Sequence, residues 1–519
     1  MNVLTAEQMK NVDRMSIDSF GIPEIILMEN AGLCCLEVLK KEHSKNTAIT
    51  VVCGKGNNAG DGFVLARYLK MSGYNVLVCV LTDEKNLSVS ALMNYLIFKK
   101  QYPELLFHVK NENEINDVLK DCSLIVDAIF GTGLSSSITN FFAVAIDVIN
   151  KSGKKVLSID IPSGINSDSG EIMGCAVKAA LTVTIGALKQ GLLLYPGSDL
   201  AGKIYIADIG FPKKLLDFNN FQAHATLFDD IYPLLVKKNK YAHKYSSGRL
   251  LIISGSKDYT GAPCLCANSA LNAGCGMVYL AVPQEIHSII ATKVNEAVVI
   301  PYNLNFDGDI PSKIIDLLTK IDAIVIGPGL SKDVPVMLFA EKIVKSTDVP
   351  LIIDADALQT DILENSKNII ITPHPGEMAR IFDIRASEID KNRLLYAKKA
   401  SKKFKAVTVL KGADSIITNP LGDTYFNTSG NSAMASAGMG DVLGGIIGTL
   451  VAKKIPTFES AYAGVFIHGL AGDIAALYSS YGVTAGEVIK RIPEVLDLIY
   501  KKDMNFVENM QKIKTISIY

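Results

Sequence analysis

Short runs of β-branched and aliphatic residues, each followed by a stretch with helical spacing, recur along this chain and constrain its fold more than any other feature. The first series is AITVVC (48–53), NVLVCVL (75–81), SLIVDAIF (123–130), KVLSID (155–160), LTVTIG (181–186) and KIYIADIG (203–210). Repeated strand and helix form a mostly parallel sheet, because parallel neighbours need a crossover connection and its helix covers a sheet face. Two helices precede this series. Thr5 and Gln8 fit a capping box, Met9, Val12 and Met15 recur at helical spacing, and Gly21-Ile22-Pro23 ends the first helix near Phe20. The second reaches about Lys41. A further α/β series starts at RLLIISG (249–255) and continues through MVYLAV (277–282), AIVIG (323–327), PLIIDA (350–355), NIIITP (368–373) and AVTVLKG (406–412). Long helical patterns from Asp441 to Lys501 close it.

Between about Phe211 and Lys244 the periodicity lapses into a mixed stretch ending in the basic, polar KKNKYAHKYSSG. A chain of 519 residues also exceeds the roughly 250–300 residues that one hydrophobic core serves. The expected organisation is therefore two α/β domains, 1–215 and 240–503, with a charged, peripheral tail over 503–519. The two series share no period, so no internal repeat is present.

A net charge of −1 provides no basic field for nucleic acid or anionic membrane, so phosphate binding has to be local. The nine cysteines are odd in number and form no CxxC pair, which points to reduced thiols. The N-terminus has no apolar h-region, and no run approaches the roughly 18 apolar residues of a membrane span. No membrane association, a cytoplasmic location and a homo-oligomer are expected.

In the first series, CGKGNNAGDG (53–62) follows a strand and enters the helical pattern DGFVLARYLK. Glycine lets backbone approach a phosphate, and a helix start offers free N–H groups; alternatively it is only a tight turn. Two more strand ends carry polar residues, Asp127 in VDAIFGTG and Asp160 in IDIPSGINSDSG. In an open parallel sheet such loops converge on one crevice. Asp127 is also compatible with a loop-capping role. Asp160 precedes Ile161-Pro162, which restricts the backbone and holds a carboxylate for proton transfer. Asn58, Asp127 and Ser163 offer oxygen donors, suited to a hard, weakly charged cation.

Taken in order, GKGNNAGDG, VDAIFGTG and DIPSGINSDSG resemble the signature of the NAD(P)H-hydrate epimerases, the YjeF N-terminal family, over roughly residues 1–215. The resemblance implies a Rossmann-like fold. It implies substrate contacts at Asn57, Asn58, Ala59, Gly60 and Asp61 and at Gly131, Thr132, Gly133, Leu134, Ser135, Ser136 and Ser137. It further implies potassium at Asn58, Asp127 and Ser163, with Asp160 at the reacting ring. Ala59 stands where the family has glycine, and its methyl would tighten the phosphate loop.

In the second series, GSKDYTGAPCLCANSALNAGCGMVYLAV (255–282) reads as loop, helix and strand, and GPGL (327–330) as a further glycine loop. Asp354 and Asp356 in DADAL either hold hydrated metal–phosphate or cap the next helix. His374, between two prolines in TPHPGEMAR, fits a ligand contact on a rigid turn. Lys411, in VLKGADSIIT, is placed to meet a nucleotide phosphate or to close a hairpin. In NTSGNSAMASAGMGDVLGG (427–445), glycine-rich backbone enters an apolar helix with Asp441 in its first turn, an anion hole beside a general base.

The AGMGD element is similar to the ribokinase-like superfamily, and with HPGEMAR, KGADS and GMGDVLGG the resemblance narrows to ADP/ATP-dependent NAD(P)H-hydrate dehydratases over about 240–500. It implies a ribokinase-like C-terminal domain. Lys411, Gly412, Ala413, Asp414, Ser415 and Gly440 would contact the adenine nucleotide with magnesium, and Ala262, Gly329, His374 and Asp441 the hydrated substrate. The implied partners are hydrated NADH or NADPH and ADP or ATP. Asp441 would deprotonate the hydroxyl of the S epimer for phosphorylation, and Asp160 would protonate and return the hydroxyl of the R epimer. The competing readings are a small-alcohol kinase, distinguished by phosphate retained on product, and a non-enzymatic ligand-binding scaffold.

Overall fold

The computed structural model describes residues 1–235, 243–479, 481–503, 510 and 513–518. Internal contacts divide the chain into two compact units, Met1–Ala223 with Lys512–Tyr519, and His224–Gln511.

The first unit is an eight-stranded parallel sheet in the order Ile513–Ser517, Lys203–Asp208, Leu181–Ile185, Lys155–Ile159, Leu124–Ala128, Ala48–Cys53, Asn75–Val80, Leu106–His108. All five residues of Leu124–Ala128 are buried, as its unbroken apolar run requires of a strand covered on both faces. Strand order reverses between Leu124–Ala128 and Ala48–Cys53, so the loops leaving these two strands open a crevice at their carboxyl ends. The helices Glu24–Glu42 and Asn57–Met71 cross closely: a Cβ on Gly32 would lie 2.4 Å from Val64 Cγ1. Val3–Leu4 pairs in parallel with Leu188–Lys189, and Thr5 then caps Ala6–Asp18 with both halves of the capping box formed.

The second unit contains a ten-stranded sheet ordered Ala223–Ala225, Thr424–Phe426, Ile416–Thr418, Val407–Leu410, Ile369–Ile371, Leu351–Ile353, Ala323–Ile326, Arg249–Ile253, Met277–Pro283, Val298–Tyr302. Val407–Leu410 through Val298–Tyr302 run parallel, whereas the pairings of Ile416–Thr418 are antiparallel. The order reverses at Arg249–Ile253 and Ala323–Ile326. Helix Met439–Ala452 lies directly on Gly261–Asn272, where a Cβ on Gly445 would come 2.0 Å from Ser269 Oγ and 2.3 Å from the Cys266 carbonyl oxygen. The glycines of DVLGGIIG therefore serve helix packing. Among the described residues, no helix is long and apolar enough to cross a membrane. All nine cysteines are free.

Two expectations change. The stretch from Phe211 is not a featureless linker: Ala223–Ala225 is a sheet edge, and Phe228 and Ile231 are buried in the second unit's core. Residues 236–242, most of the basic motif, lie outside the described residues. Nor is the tail peripheral. Ile513–Ser517 adds a parallel strand to Lys203–Asp208, with Ile513 buried and Ile516 and Ile518 packed on the first core. Residues 504–509, 511, 512 and 519 lie outside the described residues.

Removing residues 512–519 strips this strand from the sheet edge and exposes apolar side chains, each worth about 1.5–3 kcal/mol when fully buried. The deletion should lower the urea midpoint of the first unit and leave that of the second unchanged, read by probes specific to each unit. An unchanged first transition would show that the strand contributes nothing.

Candidate active sites

In the first unit, a cavity of about 1250 Å³ opens at the reversal of strand order. It is lined by Asn57, Asn58 and Asp61, by Gly131–Ser136, and by Asp160 and Lys189. Three strand-end motifs thus converge, as the parallel topology demands. The geometry within them differs from the expected loop. Helix Asn57–Met71 already begins at Asn57, so Asn57, Asn58 and Asp61 share a face at helical spacing, while Ala59 is fully buried in the core and Gly60 packs against Met28 and Ala91. Ala59 and Gly60 do not line the cavity, and neither does Ser137. The Ala59 methyl is a core contact.

Asp160 is buried, and its backbone is held at φ 69°, a conformation that few side chains adopt and that active sites retain under constraint. Lys189 Nζ, fully buried, donates to Asp160 Oδ1 at 2.6 Å, and also to Thr184 Oγ1 at 3.0 Å and the Ile185 carbonyl at 2.6 Å. The Thr132 amide donates to Asp160 Oδ2 at 2.9 Å, joined by the Thr132 hydroxyl. Burial pushes the Asp160 carboxyl up, but the Lys189 charge and these hydrogen bonds outweigh it and hold the group below its ordinary range. A carboxyl held low in this way favours its ionised form.

Asp127 is completely buried and accepts four hydrogen bonds: from Ser163 Oγ (2.6 Å) and the Ile129 amide (3.2 Å) on Oδ1, and from Ser158 Oγ (2.8 Å) and the Ser163 amide (2.9 Å) on Oδ2. It ties strand ends together. Asn58, next to Gly131, is buried with both amide atoms lacking a hydrogen-bond partner. An unpaired buried carbonyl oxygen beside a fixed carboxylate fits an oxygen-liganded monovalent cation, with Asn58 as the open ligand.

In the second unit, the functional residues follow adjacent parallel strands: Gly327–Gly329 after Ala323–Ile326, Asp354 after Leu351–Ile353, His374 after Ile369–Ile371, and Lys411 after Val407–Leu410. Lys411 Nζ donates to Asp354 Oδ1 at 2.6 Å and lies 3.8 Å from Glu377 Oε2. Lys411 also opens the antiparallel hairpin to Ile416–Thr418, the structural reading that the sequence offered beside the phosphate contact. Asp354 makes this ion pair and no side-chain helix cap; Asp356 accepts from the Ser331 amide at 3.3 Å. Gly440 sits over the pair, since a Cβ there would be 3.2 Å from Lys411 Nζ. Asp441 follows, in the first turn of Met439–Ala452. Burial and then the Asp354 charge raise its carboxyl to about 7, with Lys411 opposing. A carboxylate poised there suits general-base work at neutral pH.

His374 is the N-cap of Pro375–Phe382: its Nδ1 accepts from the Gly376 and Glu377 amides at 3.0 and 3.3 Å. With Nδ1 accepting, Nε2 carries the proton; it lies 3.5 Å from Glu377 Oε1 on a side chain that is otherwise exposed. Gly329, at φ 59°, approaches Ala262, to whose Cβ an added methyl would be 3.0 Å. Two expected substrate contacts are thus neighbours. The Lys411–Ser415 turn is fixed by buried Arg393, whose Nη2 donates to the carbonyls of Leu410, Lys411 and Asp414 at 3.1–3.2 Å. Within the turn, Gly412 and Ala413 are exposed and Ser415 bonds back to Gly412.

Sequence reasoning missed Lys189, Glu377 and Arg393. Lys189 alone left a signal, a single lysine in the apolar run IGALKQGLLL.

Residues 250–494 match the family described as NAD(P)H-hydrate dehydratase, and residues 24–191 the family described as YjeF-related protein N-terminus. The chain is 36% identical over 512 residues to the bifunctional NAD(P)H-hydrate repair enzyme Nnr of Moorella thermoacetica, covering 96% of this chain and 97% of that one. It is 34% identical over 530 residues to the Nnr of Thermofilum pendens, covering 99% and 100%. The ADP/ATP-dependent NAD(P)H-hydrate dehydratase of Bacillus subtilis, co-crystallised with ATP/Mg2+, aligns with a TM-score of 0.48 and 28% identity over 53% of this chain and 98% of that chain.

Replacing Lys189 with methionine should leave Asp160 buried without its cation and destabilise the first unit by about 3–5 kcal/mol. Because Asp160 titrates lower folded than unfolded, the pair's contribution is present above the ordinary carboxylate range and is lost as pH falls through the folded value. The wild-type advantage over Lys189→Met, followed by denaturant melts from pH 7 downwards, should therefore shrink in acid; an advantage independent of pH would refute the assignment.

Proposed function

The chain belongs to the bifunctional NAD(P)H-hydrate repair enzymes, and from that premise we propose how its two sites divide the work. The protein is an isomerase and a lyase: it interconverts the R and S forms of hydrated NADH and NADPH and dehydrates the S form at the expense of ADP or ATP. Epimerisation is assigned to the first unit's cavity and dehydration to the second unit's strand-end site. The observation carrying this division is that each unit holds its own proton-transfer carboxylate, Asp160 paired with Lys189 and Asp441 beside Asp354–Lys411. A small-alcohol kinase leaves the first site without a task, and the full-length relatives are repair enzymes.

Hydroxide is a poor leaving group, so dehydration needs activation. Asp441 takes the proton of the S-hydroxyl and the hydroxyl oxygen attacks the terminal phosphoryl group of the nucleotide, which departs one phosphate shorter; the new phosphate ester then leaves as inorganic phosphate while the ring nitrogen's lone pair forms a carbon–nitrogen double bond, and loss of a proton from the adjacent ring carbon restores the carbon–carbon double bond. Lys411, the turn Gly412–Ser415 and Gly440 hold the nucleotide, with the Lys411 charge kept in place by Asp354 and Glu377. Ala262, Gly329 and His374 orient the hydrated ring. Magnesium bound with the nucleotide would neutralise phosphate charge; Asp354 Oδ2, which accepts no hydrogen bond among the described residues, would be one of the one or two carboxylates that such an ion takes from protein.

In the first unit, Asn57, Asn58, Asp61 and Gly131–Ser136 bind the substrate, and Asp160 accepts the proton of the water that adds to the planar ring intermediate. Asn58, with Asp127 and Ser163, would hold the potassium ion, which would supply positive charge for an anionic substrate. The free thiols and the need for a reduced-nicotinamide pool support a cytoplasmic site of action.

Asp441→Asn should lower dehydration by about 10²–10⁴-fold while epimerisation persists, since an amide keeps the shape but accepts no proton. Wild-type dehydration should fall as pH drops through about 7, where Asp441 protonates. Asp160→Asn should do the converse: given racemic hydrate, nucleotide and magnesium, the variant should consume the S epimer and halt with R remaining, followed by reduced-nicotinamide absorbance and early chiral separation. Clearance of R at the wild-type rate would remove Asp160 from the chemistry.

A further inference from the structure

The ionised state of Asp160 leaves the epimerase without an identified acid, and a leaving hydroxyl requires one. We propose that Asp13, on the N-terminal helix, is the catalytic proton donor to that hydroxyl, with Asp160 as the base for the water that returns. The inference rests on the epimerase reading of the first cavity.

Helix Ala6–Asp18 lines the cavity along one face, placing Asp13 there among the charged residues Glu7, Lys10, Arg14 and Asp18. Those four are exposed, whereas Asp13 is partly buried. The helix is also fixed relative to the base. Leu4 pairs with Lys189, the cation that holds Asp160; Thr5 then caps the helix; and the Ala6 amide donates to Asp168 Oδ1 at 2.6 Å. Asp13, two turns further on, is partly buried and has no hydrogen bond or close ion pair among the described residues. Asp127 and Asp160, by contrast, are fully engaged in structure.

Burial raises the Asp13 carboxyl to about 6; the Lys189 charge opposes this, and the Asp160 and Glu24 charges add to it. Glu7, Lys10, Arg14 and Asp18 on its own helix, with Lys55, Asp61 and Asp168 from other elements, are the remaining charged groups that line the cavity. Two carboxyls in one cavity, driven in opposite directions, divide into acid and base. Asp61 is buried, and burial followed by the Asp160 and Asp13 charges pushes its carboxyl well above the carboxylate range.

In the R-to-S direction, the Asp13 carboxylic acid protonates the hydroxyl on the carbon beside the ring nitrogen. The carbon–oxygen bond breaks, its electron pair leaves with water, and the nitrogen lone pair forms a carbon–nitrogen double bond. Water then adds to the opposite face of the planar cation and gives its proton to the Asp160 carboxylate. Solvent returns that proton to Asp13. One water leaves and one enters, with no redox change, and the reverse reaction exchanges the two roles.

The test uses full-length Asp13→Asn and Asp13→Glu with purified R-hydrate of NADH and no nucleotide, the epimers being separated on a chiral column at early times and corrected for spontaneous exchange. Asp13→Asn should lower kcat by about 10²–10⁴-fold with KM moved less than about threefold. In wild type, kcat/KM should fall as pH rises through about 6, because the acid must be protonated; Asp13→Asn should lose this limb and Asp13→Glu should retain it. A thermal melt of each variant and nucleotide-dependent dehydration of the S epimer report folding, and Asp13→Glu carries the test if the amide variant fails to fold. Asp13→Asn within about threefold of wild type in kcat, or retaining the limb, overturns the proposal. If Asp160→Asn is inactive while Asp13→Asn is active, only this proposal falls. If neither substitution matters, the reading of the cavity falls with it.

Discussion

Parallel strand pairing is the constraint on which the rest of this structure depends. Parallel neighbours cannot be joined by a tight turn, so each strand is followed by a crossover that places helices on the sheet faces and every strand-to-helix loop on one edge. Strands buried on both faces then need unbroken apolar runs, which leaves polar chemistry to the residue after each strand. Asp160, Asp354, His374 and Lys411 all occupy that kind of position. Where strand order reverses, neighbouring loops diverge and open a crevice, and the first unit's cavity lies at such a reversal.

Each unit then uses a buried lysine–carboxylate pair, Lys189–Asp160 and Lys411–Asp354, both at 2.6 Å. Such pairs add little net stability but are expensive to break, so they act as fixed charges in a low-dielectric interior. The consequences are opposite. In the first unit Asp160 belongs to the pair and is held below its ordinary range. In the second Asp441 stands beside the pair's anion and is lifted to about 7. One device thus holds one carboxyl low and raises the other toward neutral pH.

The supporting contacts show why substitutions outside the motifs matter. Arg393 spans two carbonyls of the Lys411–Ser415 turn and that of Leu410 before it, so the turn depends on the helix that precedes its strand. His374 and Glu377 complete each other's capping bonds, and Glu377 also faces Lys411, coupling a helix start to the nucleotide-side cation. Losing either residue would disturb both the helix terminus and the site.

The sequence by itself determined the two parallel α/β layers, the principal strands and the strand-end motifs, because hydrophobic period, capping residues and glycine turns are local signals. It also located Asp160, Asp354, Lys411 and Asp441, since each ends a strand or starts a helix. Tertiary structure alone decided which motif residues face the cavity: a helix already wound at Asn57 turns Ala59 and Gly60 away from it. It alone brought Lys189 and Asp13 toward Asp160, set Arg393 behind Lys411, and returned Ile513–Ser517 to a sheet formed by the first two hundred residues. These contacts join positions far apart in the chain. Their partners are chosen by sheet register and helix packing, and those are fixed only once the burial of both cores selects one arrangement.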